Sequence, residues 1–337
     1  MRSRLPLLVA AAGVMLAAVA CRSSRPATVV AYVSEDQVFS EPILKDFEKQ
    51  TGITVKAVFD TEEAKSTGVM NRLLAEKGNP QADVYWANEP VRAELLKQQG
   101  LSSPYRSPNA EGIPATFQDP EGHWTGFSAR ARVLVVNKGL AAKPDSILAY
   151  TDSRWKGKGV IANPLFGTTT AATAALFTTW GDERTKAFLE AMKKNGVKIS
   201  TSNGESADLV GSGEFGFALV DSDDAVSRTR QGKSVEMVYP DQQEGGVGSF
   251  IVPNAVVLIK GGPNPESARR LIDYLLSKET ERKLAFADCA QIPLHAGVET
   301  PPDLKRIENL KTMAVNYSEV ARKMREIQPF LKTWVGY

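Results

Sequence analysis

The sequence predicts an α/β protein of two lobes facing a shared cleft. Three observations carry that expectation. The chain has 337 residues, 42% of them hydrophobic and 24% charged, which is more than one core usually accommodates. Three strand-then-helix units occur between residues 29 and 99, the pattern of a parallel, helix-covered sheet. A second series of strands and helices follows from residue 130.

In the first series, Val29 to Val33 is a β-branched run. Val38 to Gln50 places Phe39, Ile43, Leu44 and Phe47 at helical spacing and stops at Gly52. Ile53 to Phe59 reads as a strand, Glu62 to Lys77 as a helix and Asp83 to Ala87 as a strand. Val91 to Gln99 reads as a helix with Gly100 as its C-cap. In the second series, Arg130 to Asn137, Gly159 to Ala162, Val197 to Ser200 and Phe215 to Val220 are strands. Thr168 to Trp180, Glu183 to Asn195 and Asp223 to Gln231 are helices. Ser249 to Lys260 is extended, and Pro253 within it suits a crossover or an edge better than a central strand. Pro265 to Ala287 reads as one amphipathic helix, and Pro302 to Tyr337 as two more helices.

Residues 1–21 join Arg2 and Arg4 to an apolar run from Leu5 to Ala20 and then Cys21, the layout of a secretory signal. Ala18-Val19-Ala20-Cys21 resembles a bacterial lipobox, so Cys21 is the expected lipidation point and 22–27 a tether. Cys289 is then the only thiol left, without a disulfide partner. Once the leader is removed, the 41 Lys+Arg fall to 39 against 39 Asp+Glu. Such a balance gives no field to attract nucleic acid or anionic lipid, which leaves membrane contact through the anchor alone. His123 and His295 form no motif, and no Gly-x-Ser-x-Gly, Walker or paired-cysteine pattern occurs. The expectation is a non-enzyme.

Several phrases carry a family resemblance. They are Val30-Ala31-Tyr32-Val33-Ser34, Phe47 to Val55, Ala82 to Trp86, Arg130 to Val133, Trp155-Lys156-Gly157-Lys158, Gly213-Glu214 and Ala268 to Leu276. Their order from about residue 28 to about 294 resembles the bacterial extracellular solute-binding proteins, in particular the ferric-ion-binding branch. The resemblance implies a periplasmic-binding-protein fold (transferrin-like, type II) with the ligand between the lobes. It also implies a monomer in the periplasm or cell envelope that delivers its cargo to an ABC permease and ATPase. The expected first lobe is 28–129 plus 254–300, and the second 130–253 plus 301–337.

In that branch, ligands follow the first strand, the third strand and a second-lobe strand that ends in two tyrosines. The first two places hold Glu35 and Asp36, then Asn88 and Glu89. At the third, Asp223 and Asp224 replace the tyrosines, with Asp221 just before them, so the phenolates that favour ferric iron in the relatives are missing. These acids also suit the first turn of a helix, and that role is compatible with binding. If they converge, they cannot all stay ionised without a cation.

Gly167, Thr168 and Thr169 open a helix whose free N–H groups suit an anion, at the place where the relatives hold theirs; Asn203 falls at another such contact. Arg130 and Arg132 alternate on one strand face. Tyr239, before Pro240, is a candidate phenolate or cleft wall. Two cargoes fit these residues. One is ferric iron or another hard cation with a synergistic anion; the other is a zwitterionic phosphorylated amine such as an aminoalkylphosphonate. A protein that docks, once loaded with ligand, on a sensor instead of a transporter would use the same cleft.

Overall fold

The computed structural model describes residues 27–60 and 68–337. The expected leader, Cys21, nearly all of the tether and the start of the Glu62 to Lys77 helix lie outside the described residues.

The first sheet contains β1 (Thr28–Val33), β2 (Thr54–Phe59), β3 (Val84–Ala87) and the two-residue β4 (Ser102–Ser103). Between these strands run α1 (Gln37–Thr51), α2 (Gly68–Ala75) and α3 (Pro90–Gln98). In α1, Ser40, Ile43, Leu44 and Phe47 are buried at helical spacing. The helix ends where Gly52, at φ +70, turns its N–H to the carbonyl of Glu48. β5 (Thr125–Asn137) then leads to the second sheet, which holds β6 (Gly159–Ala162), β7 (Lys198–Ser200), β8 (Phe217–Asp221) and β9 (Val235–Val238). Its helices are α4 (Gly167–Trp180), α5 (Asp182–Lys194), α6 (Asn203–Gly211) and α7 (Ser222–Arg230).

β10 (Ile251–Ile259) returns to the first sheet and lies between β3 and β5, giving the order β2-β1-β3-β10-β5-β8-β6-β7. β1 is parallel to β2 and β3, and β6 is parallel to β7 and β8. β10 and β5 run antiparallel to their neighbours. Pro253 thus sits in a central strand, contrary to the expectation. It is tolerated because the β10–β5 register shifts between Pro253 and Asn254, where a ladder hydrogen bond is not required.

The expected single helix Pro265 to Ala287 is two, α8 (Pro265–Leu275) and α9 (Lys278–Phe286). Ser277 breaks it, because its hydroxyl caps α9 by accepting the Thr280 N–H at 3.2 Å. Leu271, Ile272 and Leu275 of α8 are buried against the first sheet. The chain ends in α10 (Tyr317–Glu326) and α11 (Gln328–Val335), and α10 packs against both α3 and α4. Each sheet has its own aromatic centre, Trp86 on Phe127 at 5.3 Å and Tyr150 on Phe217 at 4.9 Å. Among the described residues, no helix is long and apolar enough to cross a membrane.

Candidate functional site

Carboxyl ends of parallel strands are where an open α/β sheet exposes backbone groups and short connections to a ligand. Here Glu35 and Asp36 follow the end of β1, Asn88 and Glu89 follow β3, Asp221 ends β8, and β6 leads through Asn163 to the start of α4. These ends face one another across a cleft of about 1120 Å³. Asp36, Asn88, Glu89 and Arg130 line it, as do Gly167, Thr168, Thr169, Asn203, Asp221, Asp223 and Asp224. Glu89 and Asp224 therefore look into the same space.

Asp221, Asp223 and Asp224 each bring a carboxylate oxygen within 4.8 Å of the others. Asp221 is buried and occupies the N-cap position of α7 without capping it, since its oxygens are engaged elsewhere. Arg132 donates to it at 2.9 Å and the Thr168 hydroxyl at 2.7 Å; the Asn203 amide adds a third bond at 3.3 Å. Burial alone pushes the Asp221 carboxyl up, but Arg132 and Arg130 outweigh it and hold the group below its ordinary value.

Asp223 and Asp224, half-buried in the first turn of α7, have less help. Burial, resisted by Arg130 but reinforced by Asp221, pushes Asp223 up to about 6. Burial and the two neighbouring carboxylates push Asp224 well above its usual range, although Arg228 approaches it at 3.4 Å. The cleft thus has one acid already neutralised by the protein and two that are costly to ionise side by side.

The opposite wall is differently charged. Glu89 accepts a hydrogen bond from Arg92 at 3.2 Å, and burial raises its carboxyl despite Arg92 and Arg130. Its second oxygen is buried and has no partner among the described residues. Arg130 donates to the Asn88 carbonyl and stands 4.0 Å from Asp221, while its Nε is buried and unpartnered among the described residues. At the start of α4, Gly167 takes φ +58, a left-handed turn that a side chain resists, and Phe166 provides no side-chain cap. The residues of that turn line the cleft, the first N–H groups of a helix have no partner within it, and the Thr170 hydroxyl is buried without a partner among the described residues.

Three expected residues are placed elsewhere. Glu35 is buried beside the cleft and accepts the Gln291 amide at 2.9 Å. Arg132 lies behind the cleft wall, holding Asp221 and the Leu219 carbonyl. Tyr239 packs away from the cleft: its hydroxyl accepts the Lys305 N–H at 3.4 Å, and burial raises it to about 12, which disfavours a phenolate. The hydroxyls of Thr168 and Thr169 are committed to Asp221 and Asn203, so the backbone is the open part of that seat. Residue-by-residue reading missed Arg92, Met324 and Gln328, which also line the cleft. Arg92 could have been found three residues after Glu89, on the same helix face. Met324 and Gln328 arrive from the far end of the chain, and no local signal marks them.

The two lobes, the strand-end cleft and its mixed charge define a protein built to enclose a small solute. A family model for bacterial extracellular solute-binding proteins matches residues 43–312, and the chain belongs to that family. Iron uptake protein A1 of Synechocystis is 27% identical over 278 residues, which are 77% of this chain and 75% of that one. A Salmonella typhimurium protein named as a proposed 2-aminoethylphosphonate-binding periplasmic protein is 26% identical over 286 residues, 82% of this chain and 81% of that one. A Trichodesmium protein solved with iron and citrate ligands has the same fold, with a TM-score of 0.80 at 23% identity, covering 92% of this chain and 99% of that one.

Proposed function

We propose that this chain is the substrate-binding protein of an ABC importer. It captures ferric iron or another hard cation, together with an anion, and delivers it to a permease and ATPase. The convergence of Asp221, Asp223 and Asp224 carries the reading, because a cation among them offsets the burial and the mutual repulsion that keep Asp223 and Asp224 reluctant to ionise. Carboxylate oxygens suit hard cations, and iron is favoured by the names of the Synechocystis and Trichodesmium proteins. The anion would rest on the N–H groups opening α4, near the Thr170 hydroxyl and Arg130 Nε. Closure would turn the second lobe, 130–253 plus 301–337, on the first, 28–129 plus 254–300. The mature chain would be a monomer held to the envelope through lipidated Cys21.

A second reading rests on the Glu89 oxygen and Arg130 Nε that have no partner among the described residues, which together suit the amine and the phosphonate of an aminoalkylphosphonate. Calorimetry on chelator-stripped protein, with ferric citrate and with 2-aminoethylphosphonate, separates the two. Under the first reading ferric citrate binds, and Asp223→Ala and Asp224→Ala abolish retention while the fold persists. Equal affinity in the parent and both variants would remove the site.

A further inference from the structure

The passages between the lobes are tied by polar side chains outside the lining of the cleft. The chain crosses along β5 near Ala129, along β10 near Pro253, and through the segment after α9, where Ala129 and Ile292 exchange backbone hydrogen bonds of 2.7 and 2.6 Å. Ser128 and Ala290, at φ +40 and +42, flank this point and are two of the three non-glycine residues with positive φ among those described. Such backbone persists only where its surroundings impose it.

Asn254, wholly buried, is at the centre. Its oxygen accepts the Trp86 indole N–H at 3.1 Å, and its amide donates to the Ser128 carbonyl at 2.6 Å and to the Gln291 side chain at 2.8 Å. Gln291 in turn donates to Glu35 at 2.9 Å. From the other side, buried Glu281 accepts the N–H groups of Ser128 and Leu294, both at 2.8 Å. One connected set thus fastens the three passages to one another and reaches Glu35, directly before Asp36 in the cleft wall. None of these atoms can exchange its partner for bulk water at this depth, so a change in strand spacing breaks bonds rather than stretching them.

We propose that Glu35, Gln291 and Asn254, all on the first-lobe side of the three passages, form a latch that fixes where those passages leave that lobe and through them sets the orientation of the second lobe in the unloaded protein, which makes Glu35 a positioning residue for closure. The effect on cargo rests on the cleft-binding reading above; the effect on lobe orientation does not.

Spin labels on Gln50→Cys and Glu190→Cys, exposed on α1 and α5, report the distance between lobes in chelator-stripped protein. Gln291→Met removes both amide bonds at similar volume, and Glu35→Leu removes one from the other end. Both shift or broaden the distance distribution, while Glu35→Gln, which keeps an acceptor towards Gln291, leaves it as in the parent. With ferric citrate, Gln291→Met changes the apparent Kd by about tenfold at unchanged stoichiometry, because the binding-competent population changes; Glu35→Gln stays within about threefold. Unchanged distances in both Gln291→Met and Glu35→Leu overturn the latch. Loss of iron in Glu35→Gln as complete as in Asp223→Ala overturns it too, by making Glu35 a ligand. If Gln291→Met does not fold, Glu35→Leu decides. If ferric citrate binds none of the proteins, the cargo reading fails while the distances still test the latch.

Discussion

Replacing Asp223 with asparagine is expected to stabilise the unloaded protein while abolishing cation capture. Burial, reinforced by Asp221 and only partly relieved by Arg130, lifts this carboxyl from its ordinary 3.8 to about 6 in the folded state. A folded group that holds its proton more tightly than the unfolded chain adds stability below the unfolded value. That contribution is lost as pH rises through the folded one. The gap of about 2 units, at about 1.4 kcal/mol each, makes ionised Asp223 unfavourable by about 3 kcal/mol at neutral pH. Asparagine keeps the shape and cannot ionise. At pH 7.5, Asp223→Asn should therefore melt higher than the stripped parent by about 4 °C, since about 2.1 cal/mol/K per residue makes each kcal/mol worth about 1.4 °C in a chain of this length. The two curves should converge as pH falls below the unfolded 3.8, towards about 3, where the parent carboxyl is protonated in both states. Thermal melts of stripped protein across this range provide the assay. A variant that melts lower than the parent at pH 7.5, or a difference that does not change with pH, would refute the reasoning.

Two further outcomes follow from buried groups. Arg132→Met leaves Asp221 in the interior without its 2.9 Å partner, and denaturant unfolding should show a loss of about 3 to 5 kcal/mol; a loss below about 1 kcal/mol would mean that Arg130 alone holds the charge. Cys289 is buried, and burial raises its thiol, so it should resist iodoacetamide in the native protein and react fully in denaturant, as read by intact mass.

Much of the architecture was legible because it rests on local patterns. The α1 stripe ending at Gly52 and the runs at β1, β3 and β8 place Asp36, Glu89 and Asp221 at strand ends without any knowledge of tertiary contacts. What local pattern could not give was the direction of each side chain. Glu35 and Asp36 are adjacent, yet the first is buried beside the cleft, where it meets Gln291, 256 residues away. Arg130 and Arg132 share a strand face, but one lines the cleft and the other is held behind it by Asp221 and the Leu219 carbonyl. Pro253 misled because its bulge depends on β5, and the break at Ser277 was hidden because apolar periodicity continues across it.

The position of β10 has a consequence for how the molecule comes into being. It is the strand that joins β3 to β5, yet it is synthesised after the whole second sheet. A growing chain that has made residue 240 holds every strand of the second sheet, while the first still lacks its keystone. Assembly order therefore runs against synthesis order. The half nearest the amino terminus has to wait, with its strand edges open, for a segment more than a hundred residues downstream.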